Sequence, residues 1–113
     1  MKVRREKAMR IINSLIAFCH SEGAMESQIH LRCEGDKTLI TVSAPIENLP
    51  AESYDDLVQE LNLPRQHEVE QNFWELGGEL ETHSDLTLVG MMVDEAKIQY
   101  QDGVLCIDVW RYD

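Results

Sequence analysis

The stretch Val42-Ser43-Ala44-Pro45-Ile46-Glu47-Asn48-Leu49-Pro50-Ala51-Glu52-Ser53, "VSAPIENLPAES", carries the chain out of a strand, round a loop and into a helix. Just before its end, the strand has Leu39, Thr41 and Ser43 alternating with Ile40, Val42 and Ala44, the period of two that a half-buried strand requires. After Pro50 the period lengthens. Tyr54, Leu57, Val58 and Leu61 fall on one side, with Asp55, Asp56, Gln59 and Glu60 on the other, as on an amphipathic helix. The loop between strand and helix holds no glycine.

Towards the N-terminus, Ile29, Leu31 and Cys33 alternate with His30, Arg32 and Glu34, and the turn Glu34-Gly35-Asp36-Lys37 joins them to the next strand as a hairpin. Earlier still, Ala8, Ile12, Leu15, Ile16 and Cys19 recur at helical spacing, with Arg5, Asn13 and His20 off the stripe. A helix over 2–22 follows, closed by Ser21-Glu22-Gly23, where Gly23 takes the left-handed conformation.

Towards the C-terminus, Pro64 ends the second helix and suits the first turn of another, whose stripe is Val69, Phe73, Leu76 and Leu80. Gly77-Gly78 interrupts that stripe and marks either its end or a close backbone approach. The run Leu86 to Val93, "LTLVGMMV", fits a buried strand or a buried helix. Ala96–Tyr100 and Val104–Trp110 then flank Gln101-Asp102-Gly103, where Asp-Gly signals a hairpin. This order predicts an α+β fold: a two-layer sandwich with a mixed, mostly antiparallel sheet of about four strands, covered on one face by three to four helices. With 113 residues, no repeat and no linker, residues 1–113 are expected to form a single domain.

The net charge of -11 is unevenly distributed. Lys2, Arg4, Arg5, Lys7 and Arg10 are half of all the basic residues, and residues 11–113 hold twenty acids against five bases. Such a body repels phosphate backbones and anionic lipid, so neither nucleic acid nor membrane is an expected partner. The basic start reads as a solvated first turn. Cys19, Cys33 and Cys106 sit among apolar neighbours and are expected to be free, buried thiols. No signal peptide is expected, and no apolar run approaches the roughly 20 residues that span a bilayer. A reducing cytoplasm is the expected compartment.

Chemistry-bearing residues are scattered. His20, His30, His67 and His83, with the cysteines, show no paired metal-ligand spacing, and His67-Glu68 lacks a second histidine because Gln71 stands there. Cys19 and His20 are neighbours on a helix and point about 100° apart, which does not make a nucleophile and its base. Asp55 with Asp56, and Glu79 with Glu81, read as solvated carboxylates in a chain with twenty-one acids. No catalytic, cofactor-binding or metal-binding residue is therefore assigned, and no enzymatic activity or cofactor is expected. The aromatics are the candidates for protein contact, although Trp74 reads equally as an edge-of-core residue with its indole nitrogen satisfied. Trp74 beside Phe73 cannot share one core direction on a helix, and Trp110 and Tyr112 share the face of the last strand opposite Ile107 and Val109.

The element order and its joints resemble the Bergerat-fold (GHKL) ATP-binding domain of sensor histidine kinases and anti-sigma-factor kinases. That family's first helix carries an asparagine box, here Asn13-Ser14-Leu15-Ile16-Ala17-Phe18-Cys19-His20; Asn13 fits, but the metal-holding asparagine is replaced by Ala17. Its V-x-D-x-G-x-G-I-P-x-E motif falls on the opening stretch. There Ala44 stands for the adenine-reading aspartate and Ile46 and Asn48 stand for the glycines, while Leu49, Pro50 and Glu52 keep the exit into the helix. Its glycine-rich helix start falls on Asp85-Leu86-Thr87-Leu88-Val89-Gly90-Met91, with both glycines missing and an acid at the entrance; on this alignment residues 85–94 are a helix. The resemblance thus implies the histidine-kinase ATPase-like fold with its nucleotide groups lost. The expected role is a regulatory or accessory protein-interaction module, acting on a protein partner or as a homodimer through Trp74, Trp110 and Tyr112. The alternatives are a divergent nucleotide-binding kinase or ATPase, and a small-molecule sensor using the emptied pocket.

Overall fold

A computed structural model describes residues 2–62 and 85–112. Helix α1 spans Lys2–Ser21, strands β1 and β2 span Gln28–Glu34 and Lys37–Pro45, and helix α2 spans Ala51–Leu61. Helix α3 spans Asp85–Met92, and strands β3 and β4 span Glu95–Gln101 and Val104–Tyr112. The expected third helix around Val69, Phe73 and Leu76, with Gly77-Gly78, lies outside the described residues.

The four strands form one sheet in the order β1-β2-β4-β3. Every pairing is antiparallel, so the parallel component that a mixed sheet allowed for is absent among the described strands. Each hairpin closes on two residues, Glu34 opposite Lys37 and Gln101 opposite Val104. In the second turn Asp102 (φ 52) and Gly103 (φ 74) are both left-handed. Two positive φ values match the right-handed twist of the strands, which is why Asp-Gly is favoured there.

The strand periodicity becomes two sheet faces. Thr38, Ile40, Val42 and Ala44 of β2 are buried on the inner face, in register with Arg111, Val109, Ile107 and Leu105 of β4. The described helices lie against this side, α1 on β2 and α2 on β3, with α3 between α1 and α2. From α1 come Ala8, Ile11, Ile12, Leu15 and Cys19; from α2, Leu57 and Leu61; from α3, Val89 and Met92. Ile11, outside the stripe expected from sequence, is fully buried, whereas Ile16 sits at the margin. The end of α1 fulfils its expected signal. Gly23 has φ +100, and the N–H groups of Gly23 and Ala24 donate to the carbonyls of His20 (3.1 Å) and Cys19 (3.0 Å). This is the double bond pattern that closes a helix on glycine, with buried Ala24 and Cys19 as its apolar contact.

The segment 86–93, ambiguous by sequence, is helix through Met92. Its lack of period has a packing cause: a short helix with neighbours on two sides buries more than one stripe. A Cβ on Gly90 would run into the backbone carbonyl oxygen of Glu60, so the absence of a side chain sets how closely α3 approaches α2.

Candidate functional surface

The loop after β2 is tied down from within. The Ile46 N–H donates to the Gly103 carbonyl (2.8 Å). The Tyr100 hydroxyl donates to the Ile46 carbonyl (2.6 Å) and accepts from the Leu49 N–H (3.3 Å). Asn48 holds φ 56, a left-handed position that asparagine tolerates better than most residues. Pro50, extended at φ -62 and ψ 140, starts α2 without a side-chain cap. Ala44 is 0% exposed and Ile46 1%. The positions that the resemblance would gather around a nucleotide therefore divide: Ala44 and Ile46 lie in the core, while Asn13 and Ala17 are on the exposed side of α1.

No cysteine chemistry is assembled among the described groups. Cys19 is buried, and desolvation pushes its thiol from 9.0 up to about 11, only partly offset by a backbone hydrogen bond. It remains a protonated core residue at neutral pH. Cys106 is half-buried on the outer face, and Cys33 is exposed. The exposure of Cys33 corrects the expectation of three buried thiols. Its cause is that all seven residues of β1 are exposed, since β1 lies outside the area that the described helices cover. Among the described residues no group of three His, Cys, Asp or Glu side chains is placed to hold a metal ion. His67, His83, Glu79 and Glu81 lie outside them.

The outer face of the sheet carries the aromatics. Leu39 is opposite Trp110, Thr41 opposite Asp108, and Lys37 opposite Tyr112. The Thr41 hydroxyl donates to the Asp108 carboxylate at 2.8 Å, and the Lys37 ammonium stands 5.9 Å from the centre of the Tyr112 ring. Next to them Arg32 and Glu34 form an ion pair. A shallow depression lined by Arg32, Glu34, Lys37 and Leu39 opens on this face, and a second, lined by Glu26, Gln28, Ser43, Pro45 and Val104, lies towards the other end. Trp110 is half-buried and Tyr112 exposed, on the side expected from sequence. Trp74 is outside the described residues.

Sequence reasoning missed Arg111. It is 3% exposed, and its guanidinium donates to the carbonyl of Met92 (2.7 Å), the last residue of α3. A cation suits a helix C-terminus, where unsatisfied carbonyls gather. The available signal was parity, because Arg111 follows Leu105, Ile107 and Val109 on the inner face. Among the described residues no helix is long and apolar enough to cross a membrane. No family model matches the chain, and no curated protein matches it.

Proposed function

We propose that this chain is a non-catalytic regulatory or accessory domain, on a scaffold similar to the Bergerat ATP-binding domain, that binds another protein through the outer face of its sheet. The observation carrying this reading is the row of Leu39, Trp110, Lys37 and Tyr112 on a face from which the described helices are absent. Large aromatics beside a lysine suit a contact surface. The acidic body favours a basic partner, speeds encounter with it and disfavours nucleic acid. Three free cysteines accord with a reducing compartment, such as a bacterial cytoplasm.

Against the nucleotide-binding and emptied-pocket alternatives stands the loop. Ile46 fills core space, and its N–H and C=O, together with the Leu49 N–H, bond within the protein instead of facing a ligand. The test pairs two measurements. Affinity capture from the native cell extract is run with wild type and with a Trp110→Ser, Tyr112→Ser double variant matched for circular dichroism. A partner held by wild type and lost by the variant is expected; equal capture by both removes the sheet face from the account. Thermal-shift titration with ATP and magnesium is expected to give no change. A saturable rise in Tm would replace this reading with nucleotide binding, since a ligand specific for the folded state must stabilise it.

A further inference from the structure

The sheet has two edges, and they are treated differently. Counting from the hydrogen-bonded pair beside each two-residue turn, alternate residues of an edge strand turn their backbone groups away from the sheet. On β3 these are Ala96, Ile98 and Tyr100, and the Ile98 carbonyl accepts a hydrogen bond from the Tyr54 hydroxyl of α2 (3.2 Å). Covering by a helix is one of the devices by which proteins blunt an edge strand.

On β1 the outward residues are Ile29, Leu31 and Cys33. Among the described residues nothing pairs with this edge, and Gln28–Glu34 contains no proline and no lysine. Ile29 and Leu31 are 43% and 40% exposed, on the same side of the sheet as the core. An edge of this length with apolar side chains in register is a template for another strand.

We propose that the strand is supplied by a second copy of this chain, pairing β1 with β1 antiparallel about a two-fold axis at Leu31, so that the two sheets become one. The register follows from symmetry and parity. Outward residues must face outward residues, and only the pairing centred on Leu31 uses the full strand. Leu31 then faces its own counterpart, Ile29 faces Cys33, His30 faces Arg32 and Gln28 faces Glu34. The two-fold axis runs along the sheet normal, so both helical layers lie on one side and the apolar stripes meet there. Charge permits pairing at this edge. In a chain of net charge -11, β1 holds one arginine and one glutamate that already pair with each other, so two copies approach here with little local repulsion, and His30 lies diagonal to Glu34 of the other copy.

The test is the mass in solution, by light scattering and sedimentation equilibrium over a wide concentration range. Wild type is expected at twice the monomer mass at high concentration. Leu31→Lys puts two ammonium groups on the axis, and Leu31→Pro removes an N–H that faces away from β2, which leaves the hairpin ladder intact. Both are expected to be monomers with wild-type circular dichroism. If one fails to fold, the other decides. In a Cys33→Ser background, Leu31→Cys should cross-link to its counterpart under a mild oxidant, because directly opposite residues stand about 5.5 Å apart, within reach of a disulfide. A wild-type monomer at every concentration overturns the proposal, as does a dimer that survives both folded Leu31 variants. Capture of a foreign extended peptide by monomeric β1 overturns it too. None of these three results depends on the outer face, so failure here is distinct from failure of the proposed partner surface.

Discussion

At Cys19 and Cys33 the same thiol meets opposite surroundings. Cys19 is 0% exposed under the helical layer, and burial raises its thiol to about 11; Cys33 is exposed on the edge strand. Because folding raises the Cys19 pKa, the folded state holds a proton that the unfolded chain releases near 9.0. Its contribution is therefore complete below about pH 9 and is lost as pH rises through about 11. Comparing wild type with Cys19→Ala by urea unfolding isolates this term from other titrations. The wild type is expected to lose roughly 2–3 kcal/mol more than the variant across that window. The same loss in both would assign it elsewhere. Periodicity in the sequence put both cysteines on core-facing positions, and parity alone does not reveal where a helical layer ends.

Helix α3 owes its position to what it lacks at Gly90. A methyl group there meets the Glu60 carbonyl, a backbone atom that cannot rotate away. Gly90→Ala is accordingly expected to destabilise the protein by roughly 1–3 kcal/mol, although alanine is the better helix former. Chemical denaturation checks this, and an increase in stability would show that α2 and α3 are not held at this distance. Arg111 anchors the C-terminal end of the same helix by capping the Met92 carbonyl. Asp94 adds a second tie, donating its N–H to the Trp110 carbonyl and accepting from the Tyr112 N–H, at 2.8 and 2.7 Å. None of these was legible from an apolar octapeptide, since a buried strand and a buried helix present the same composition. Helices α1 and α2 and both hairpins were legible, because each carries its own period or its own turn residues.

For the whole molecule, charge decides how copies meet. Each carries -11, and a dimer through β1 brings two acidic bodies together. Raising ionic strength screens that repulsion over distances of about 8–10 Å and is expected to tighten self-association. Sedimentation equilibrium at low and high salt measures it. Weaker association at high salt would mean that cross-copy ion pairs, with Arg32 or Glu34, hold the interface in place of backbone pairing and apolar contact.

Neighbouring residues encoded α1, α2 and the four strands, the two turns, the glycine stop at Gly23 and which faces of β2 and β4 are apolar, since each depends on residues a few positions apart. It also showed that the loop from Ala44 to Asn48 holds no glycine. Long-range packing established that β2 and β4 are the central strands, that α3 wedges between α1 and α2, that Tyr100 fastens the Ile46–Leu49 loop, and that one sheet edge is met by Tyr54 while the other has no partner among the described residues. These depend on contacts across tens of positions of sequence, 44 to 54 for the tyrosine hydrogen bonds. No local period encodes such contacts; they are fixed when the two hairpins pair and the described helices pack on the sheet they make.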